Sequence, residues 1–431
     1  MKYYSINKQS PVVNFRQATV NGQAPDKGLY FPGSIPVLDK DFINDIENYS
    51  EEEIAYRVIS PYVADEIPEI SLRQIVAETV NFSMPLVKVT DRMFSLELFH
   101  GNTLAFKDVG ARFMSRCLGY FVKNNGKKIT VLVATSGDTG GAVADGFYDV
   151  DGVEVVILYP AGKVSSVQEK QLTTLGKNIH ALEVNGSFDD CQKMVKQAFA
   201  DKELTNKHLL TSANSINVAR WLPQQFFYFF AYKQWENKKQ PPVMSVPSGN
   251  FGNICAGLLA YRSGLPVKHF IAACNANDVV PKYMQSGTYK SQPSVATISN
   301  AMDVGDPSNF VRILEMFSHN LNDIKKVLTA ESVSDLETRL TMQAVFNNHQ
   351  YLLDPHAAVA YKCLQKYLDR YPLMQGIFME TAHPVKFYDV IEPLLSIKIA
   401  LPASVESIID KTKISTKIEA DYDALRTYLT Q

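Results

Sequence analysis

The chain has 431 residues, 46% hydrophobic and 20% charged, which is enough for a large core and about three times the size of one typical domain. Its 22 glycines and 21 prolines exclude collagenous, disordered and low-complexity classes. With 43 Lys plus Arg against 45 Asp plus Glu, the formal charge of -2 provides no global field for a polyanion, so no nucleic-acid partner is expected and any anion site must be local.

Residues 1 to 90 are rich in Pro, Tyr and acidic side chains and read as an N-terminal helical and loop module, with Ser50-Glu51-Glu52-Glu53 as a helix start. The first residues carry no apolar run after Lys2, so neither a secretory signal nor a membrane anchor is expected there. From Lys128 the texture changes. The apolar, β-branched run 129–134 predicts a strand, followed by the Gly-rich loop 135–141 and a helix to Tyr148. Alternation continues with strand 153–158, helix 165–175, strand 179–184 and helix 187–202, where Ser187 and Asp190 suit a capping box. Such order implies parallel strands covered by helices, an α/β fold.

A long amphipathic helix is expected over 217–235. Its apolar stretch 226–232 is far shorter than the roughly 20 residues of a spanning helix, so no membrane partner is expected. After Pro241-Pro242 a second α/β unit follows: strand 243–246, a Gly-rich loop, helix 254–262 and strand 269–274. Asp354-Pro355 opens a helix to about Leu368, and 376–379 supplies another buried strand. Five cysteines without a CxxC pair give no disulfide framework or zinc site, and eight histidines include no HExxH; no metal is expected, and a reducing cytoplasm fits best.

Four segments can carry chemistry. Lys107 stands next to Phe106 just ahead of a helical run 109–121; desolvation there would favour the neutral amine that attacks an aldehyde, although the segment alone favours an ordinary solvated lysine at a helix start. Ser248-Gly249-Asn250-Phe251-Gly252-Asn253 joins a strand to a helix whose N-terminus offers unpaired N–H groups to a phosphate; a plain Gly-rich turn is an equal reading. In Asn214-Ser215-Ile216-Asn217-Val218-Ala219-Arg220 the polar side chains and the Arg fork could hold a second anion, or serve as an N-cap and a solvated Arg. Glu380-Thr381-Ala382-His383-Pro384 follows a buried strand at the end where open α/β folds place ligands, and a hydroxyl there could reach a heteroaromatic nitrogen.

Together these segments resemble the threonine synthase family, pyridoxal-phosphate enzymes of fold type II. Residues 100–108 look like the family's HGPTLAFKD, 135–140 its TSGDTG, 248–253 its SGNFGN and 381–387 its TAHPxKF; Asn102 stands where the family commonly has proline. The resemblance implies two open parallel-sheet α/β domains plus the N-terminal module, divided approximately as 1–90, 91–215 and 216–431. It implies that Lys107 holds pyridoxal 5'-phosphate as a Schiff base, that Ser248, Gly249, Asn250, Phe251, Gly252 and Asn253 bind its phosphate, that Thr381 meets the pyridine nitrogen and that Asp138 lies near the phenolic oxygen. Ser136, Gly137 and Thr139 would meet the substrate carboxylate, and Asn214, Ser215 and Arg220, with Ser83 nearby, the substrate's own phosphate. The implied reaction turns O-phospho-L-homoserine and water into L-threonine and phosphate, in a monomer or small homo-oligomer. The alternatives are another fold type II lyase, such as serine/threonine dehydratase or cysteine synthase, and a non-catalytic phosphate-binding module.

Overall fold

The computed structural model describes residues 1–123 and 128–430. Two parallel sheets organise it. The first has five strands in the order Thr416–Glu419, Ile179–Asn185, Val153–Pro160, Ile129–Ala134, Leu209–Ser212, all parallel. The second has six, in the order Leu328–Ser332, His269–Cys274, Val243–Pro247, Gly376–Glu380, Met93–Glu97, Leu86–Lys88, parallel except for the last pair. The central strands are near-continuous apolar runs because helices cover both of their faces.

Most expected elements form where composition places them. Strand Ile129–Ala134 and strand His269–Cys274 have the expected bounds, Ser187 and Asp190 close the capping box of helix Phe188–Ala200, and Ser50 caps helix Glu51–Val63. The single helix expected over 217–235 is instead three pieces, Val218–Trp221, a tight 3-10 turn Leu222–Gln225 and Phe226–Gln234. Pro223 lacks the N–H that a continuous α-helix requires. The N-terminal module, expected to be helices and loops, also holds a three-stranded antiparallel sheet of Lys2–Ser5, Val13–Asn14 and Tyr30–Pro32. Strands of two to four residues leave too short a period-2 pattern to read.

Two strands cross the expected division at residue 215. Met93–Glu97 precedes Lys107 in sequence yet pairs with Gly376–Glu380 in the second sheet, and Thr416–Glu419 returns to the edge of the first. Parallel pairing gains from long-range partners whatever their distance along the chain. Its effect here is to tie the Lys107 segment to the end of the chain's last strand in the second sheet.

Arg312 joins the layers. Wholly buried, it stacks on Trp221 and donates to Asn309 Oδ1 and to the carbonyls of Tyr30, Ser215 and Ile216, linking the N-terminal module to the 213–220 turn. All five cysteines are free and buried. Among the described residues no helix is long and apolar enough to cross a membrane.

Helix Gly252–Arg262 packs its glycine face on the 226–234 helix. A Cβ at Gly257 would stand 2.4 Å from the Tyr228 ring and 2.9 Å from Phe270, and Tyr228 cannot swing away because its hydroxyl donates to Asn253 O and Oδ1. Gly257→Ala is therefore expected to cost about 1 to 3 kcal/mol of stability, the usual penalty for overpacking a rigid core. Urea denaturation of the two proteins measures it; an unchanged midpoint would show that the rings yield.

Candidate active site

Strand Gly376–Glu380 runs directly into Thr381, and the chain there zips against the segment before Lys107. Phe106 N–H donates to Thr381 O at 2.9 Å, His383 N–H to Leu104 O at 3.0 Å, and Ala105 bridges Ala382. This pairing carries Lys107, first residue of helix Lys107–Lys123, to the carboxyl end of the second sheet. Gly101 has no Cβ where the Asp108 carboxylate sits 2.3 Å from the ideal Cβ position, so any side chain would displace it. Asp108 in turn accepts the N–H and the hydroxyl of Thr103; burial pushes its carboxyl up to about 6.

From the first sheet comes Asp138, opening helix Asp138–Phe147 behind Gly137, whose φ of +135° is open to glycine and strained for any other residue. Thr135 Oγ1 accepts the N–H groups of Gly137 and Gly140, shaping the loop, while Ser136 and Thr139 stand half-buried beside it. Asp138 is buried and carries three contacts. Lys386 Nζ pairs with Oδ1 at 2.8 Å, Lys107 Nζ faces Oδ2 at 3.7 Å, and Gln168 Nε2 donates to Oδ1 at 3.0 Å. Although burial opposes its charge, the two lysines hold this carboxyl well below the usual carboxylate range.

The lysines differ. The Lys107 side chain is 19% exposed; burial lowers its affinity for a proton, Asp138 opposes that, and Lys386 and Arg220 reinforce it. Its place at a helix N-terminus adds a positive dipole end against an ammonium.

Arg220, in helix Val218–Trp221, packs its carbonyl and Nε against Gly110, which lies one turn along helix Lys107–Lys123 from Lys107. It is buried, donates to Ala213 O, and its Nε has no partner among the described residues; burial lowers the guanidinium to about 10. The Ser215 hydroxyl accepts from Asn250 Nδ2 at 2.8 Å and Asn309 Nδ2 at 2.9 Å, so it packs on the 248–253 loop. Asn214 is half-buried in the same turn, and Ser83 is exposed in the loop after Asn81, whose side chain accepts from Arg112.

The 248–253 loop leaves strand Val243–Pro247, neighbour of Gly376–Glu380, so it opens beside Thr381. Phe251 adopts left-handed backbone, φ 60°, before helix Gly252–Arg262. A Cβ on Gly249 would be 2.5 Å from Met302 Cα, so no other residue fits. Asn250 is pinned by Ser308 N–H at its Oδ1, and Asn253 keeps a buried Nδ2 with no partner among the described residues.

Comparison with known proteins decides the family. A family profile described as pyridoxal-phosphate dependent enzyme matches residues 87–374, and profiles described as threonine synthase N terminus and threonine synthase, C-terminal match 2–80 and 357–429. The chain is 44% identical over 430 residues to the threonine synthase of Haemophilus influenzae, covering 100% of the chain and 99% of that protein. The chain belongs to the threonine synthase family. Its fold superposes on the threonine synthase crystal structure from Escherichia coli with a TM-score of 0.93 at 42% identity (100% of this chain, 99% of that one). With the pyridoxal-phosphate-bound threonine synthase from Brucella melitensis the score is 0.94 at 34% identity (100% and 98%).

Threonine synthases of this family are pyridoxal-phosphate-dependent, and this chain is such an enzyme with a fold type II architecture. Its residues fit the cofactor: an amine beside a carboxylate, the Gly-lined N-terminus of an 11-residue helix, and a buried amide donor, Asn253 Nδ2, without a partner among the described residues. Lys386 falls in the 381–387 motif but was given no role by sequence, and Gln168, Asn309 and Arg312 were not singled out at all. Lys386 sits between Val385 and Phe387, an apolar setting for a charged residue; the other three give no local signal.

Behind Thr381 lies a second titratable group. Tyr351 has one hydroxyl proton for two carboxyls, Glu97 Oε1 at 2.8 Å and Glu380 Oε2, and Glu380 also accepts from Ser95 at 3.1 Å. Glu380 is wholly buried, and burial raises its carboxyl well above the ordinary value of 4.5, with the negative Asp354 adding to it. The folded state thus holds a proton that the unfolded chain releases above about pH 4.5, so the stability this group contributes at acid pH is lost as pH rises toward the folded value. Glu380→Gln stays neutral throughout, and its stability relative to wild type should increase between pH 5 and pH 8. Urea melts at both pH values measure this; an equal difference at the two would mean that Glu380 is ionised in the fold.

Proposed function

We propose that the protein converts O-phospho-L-homoserine and water to L-threonine and phosphate. The observation that carries the reading beyond the family is Arg220: a buried guanidinium with an unpartnered Nε, close enough to Lys107 to lower its affinity for a proton, and on a different element from the 248–253 loop. A dehydratase or cysteine synthase has one phosphate to bind, that of its cofactor; a substrate bearing its own phosphate needs a second cation.

Pyridoxal phosphate, when bound, supplies an electron sink for the pair left at the substrate's Cα. Lys107 would hold the cofactor's aldehyde carbon, Ser248, Gly249, Asn250, Phe251, Gly252 and Asn253 its phosphate, Thr381 its ring nitrogen, and Asp138 would face its phenolic oxygen. Once free of the cofactor, Lys107 Nζ would take the proton from Cα and later the one from Cβ, and would return one to Cγ after the phosphate has left and one to Cα at the end. Arg220 holds the substrate phosphate and stabilises its charge as the Cγ–O bond breaks. Ser136, Gly137 and Thr139 would orient the carboxylate, and water would add its hydroxyl at Cβ and give its proton to the departing phosphate. Asn214 and Ser83 would flank the departing phosphate, while the contacts of Ser215 favour a part in shaping the cofactor-phosphate loop. The two lobes are then the two sheets with their helices, Met93–Glu97 belonging to the second and Thr416–Glu419 to the first, and the division 91–215 and 216–431 holds only apart from these strands.

Lys107→Ala should fold and lose turnover by several powers of ten, because one amine both links the cofactor and moves the protons. Full activity in the folded variant, or borohydride fixing the cofactor on another lysine, would refute this assignment.

Arg220→Met should keep pyridoxal phosphate but lose roughly 2 to 4 kcal/mol in kcat/KM for phosphohomoserine, the scale of a charge-assisted contact that strengthens as the leaving group departs. Inorganic phosphate should also inhibit wild type more than the variant. Loss of cofactor with unchanged phosphate inhibition would assign Arg220 to the cofactor site and restore the dehydratase reading.

A further inference from the structure

Asp138 is shared unequally. Lys386 Nζ makes the short contact at 2.8 Å and Lys107 Nζ the long one at 3.7 Å. The Lys386 side chain has no exposure at all, and its second bond goes to Thr103 O at 2.8 Å, a carbonyl that also accepts from Gln171 Nε2 at 3.0 Å. A lysine cut off from water costs several kcal/mol to keep charged unless an opposite charge touches it, so the geometry commits the Asp138 carboxylate to Lys386. Lys107 is left with the weaker share. The groups that face it are Asp138 from helix Asp138–Phe147, Lys386 from the turn Pro384–Phe387 and Arg220 from helix Val218–Trp221. Asp108, on its own helix, is engaged by Thr103. Two cations and a helix N-terminus thus oppose a proton on Lys107, against one carboxylate already neutralised.

We propose that Lys386 is a positioning residue whose charge neutralises Asp138 and so keeps the Lys107 nitrogen unprotonated and nucleophilic. The inference rests on Lys107 being the cofactor lysine. A strut between the 384–387 turn and Thr103 would explain the burial of Lys386; it would not make the charge of Lys386 matter to Lys107, and that difference is measurable.

The test uses holoenzymes of wild type, Lys386→Arg, Lys386→Met and the Lys386→Met/Asp138→Asn double variant. Borohydride reduction and peptide mass mapping first locate the cofactor; its appearance on a lysine other than Lys107 would overturn the reading of Lys107 itself. With Lys107 so identified, the pH midpoint of the visible absorption band of the unreduced holoenzyme reports the proton on its imine nitrogen. Lys386→Met leaves Asp138 to Lys107 alone, and the midpoint should rise by roughly 1 to 3 units, the usual effect of an unshared opposite charge within 4 to 6 Å. Lys386→Arg should stay near wild type, and kcat should fall in Lys386→Met with KM little changed. A folded Lys386→Met enzyme with an unmoved midpoint overturns the proposal. If that variant does not fold, the double variant decides: it removes both charges of the pair at once, so its midpoint should stay close to that of wild type, and a clear fall, which would mean that Asp138 still supports the proton of Lys107 despite Lys386, overturns the proposal.

Discussion

The ion pair between Lys386 and Asp138 is the contact on which the site depends. A buried ammonium and a buried carboxylate are each costly alone, so each requires the other at short range. Asp138 belongs to the first sheet's helix Asp138–Phe147, and Lys386 to the turn after the last strand of the second sheet. Satisfying one pair therefore draws the two sheets together at one point. Thr103 O is pulled to the same point by Lys386 and Gln171, and it lies four residues before Lys107. Three loops distant in sequence are thus held by a requirement of charge burial.

Parallel topology supplies the rest of the field. Each strand in such a sheet ends where its following helix begins, so helix N-termini gather at the strands' carboxyl ends. Asp138 and the 248–253 loop both occupy such positions, where negative charge is favoured. Lys107 occupies a third, where positive charge is not. A nucleophilic amine gains from that placement, whereas a structural lysine would lose by it. The loops that lead into two of these helices also carry backbone that side chains rarely adopt: Leu104 at φ 59° and Phe251 at φ 60°. Left-handed backbone costs such residues about 1 to 2 kcal/mol. Both side chains are buried, and Phe251 packs edge-on to Phe310, so core burial opposes the strain at the two loops.

The repeating β-α order was legible because fully buried strands are short apolar runs punctuated by glycine loops, and 129–134 and 269–274 are of that kind. Lys107, Asp138 and the 248–253 loop were legible as motifs. What escaped depends on tertiary partners. Met93–Glu97 has the look of an ordinary half-polar segment until its pairing with Gly376–Glu380 buries it, and Arg312 is a helical arginine whose three carbonyl partners lie 96 to 282 residues away. Ser215 was grouped by its neighbours in sequence with Asn214 and Arg220, and the bonds its hydroxyl accepts from Asn250 and Asn309 were not legible there.

Asn102 shows how a departure from a family pattern can be absorbed. A proline at this position would fix φ and donate no hydrogen bond. The asparagine gives up that backbone restriction, yet its Nδ2 donates to Asp145 Oδ1 at 3.0 Å, anchoring the loop to helix Asp138–Phe147. Asp145 also receives Arg112 Nη2 at 3.4 Å, and Arg112 is bonded to Asn81 and lies over Phe82. The loop before Lys107 is therefore tied through one carboxylate to the helix that begins with Asp138 and to the segment that carries Ser83. A covalent constraint on one residue is replaced by a polar network spanning three segments.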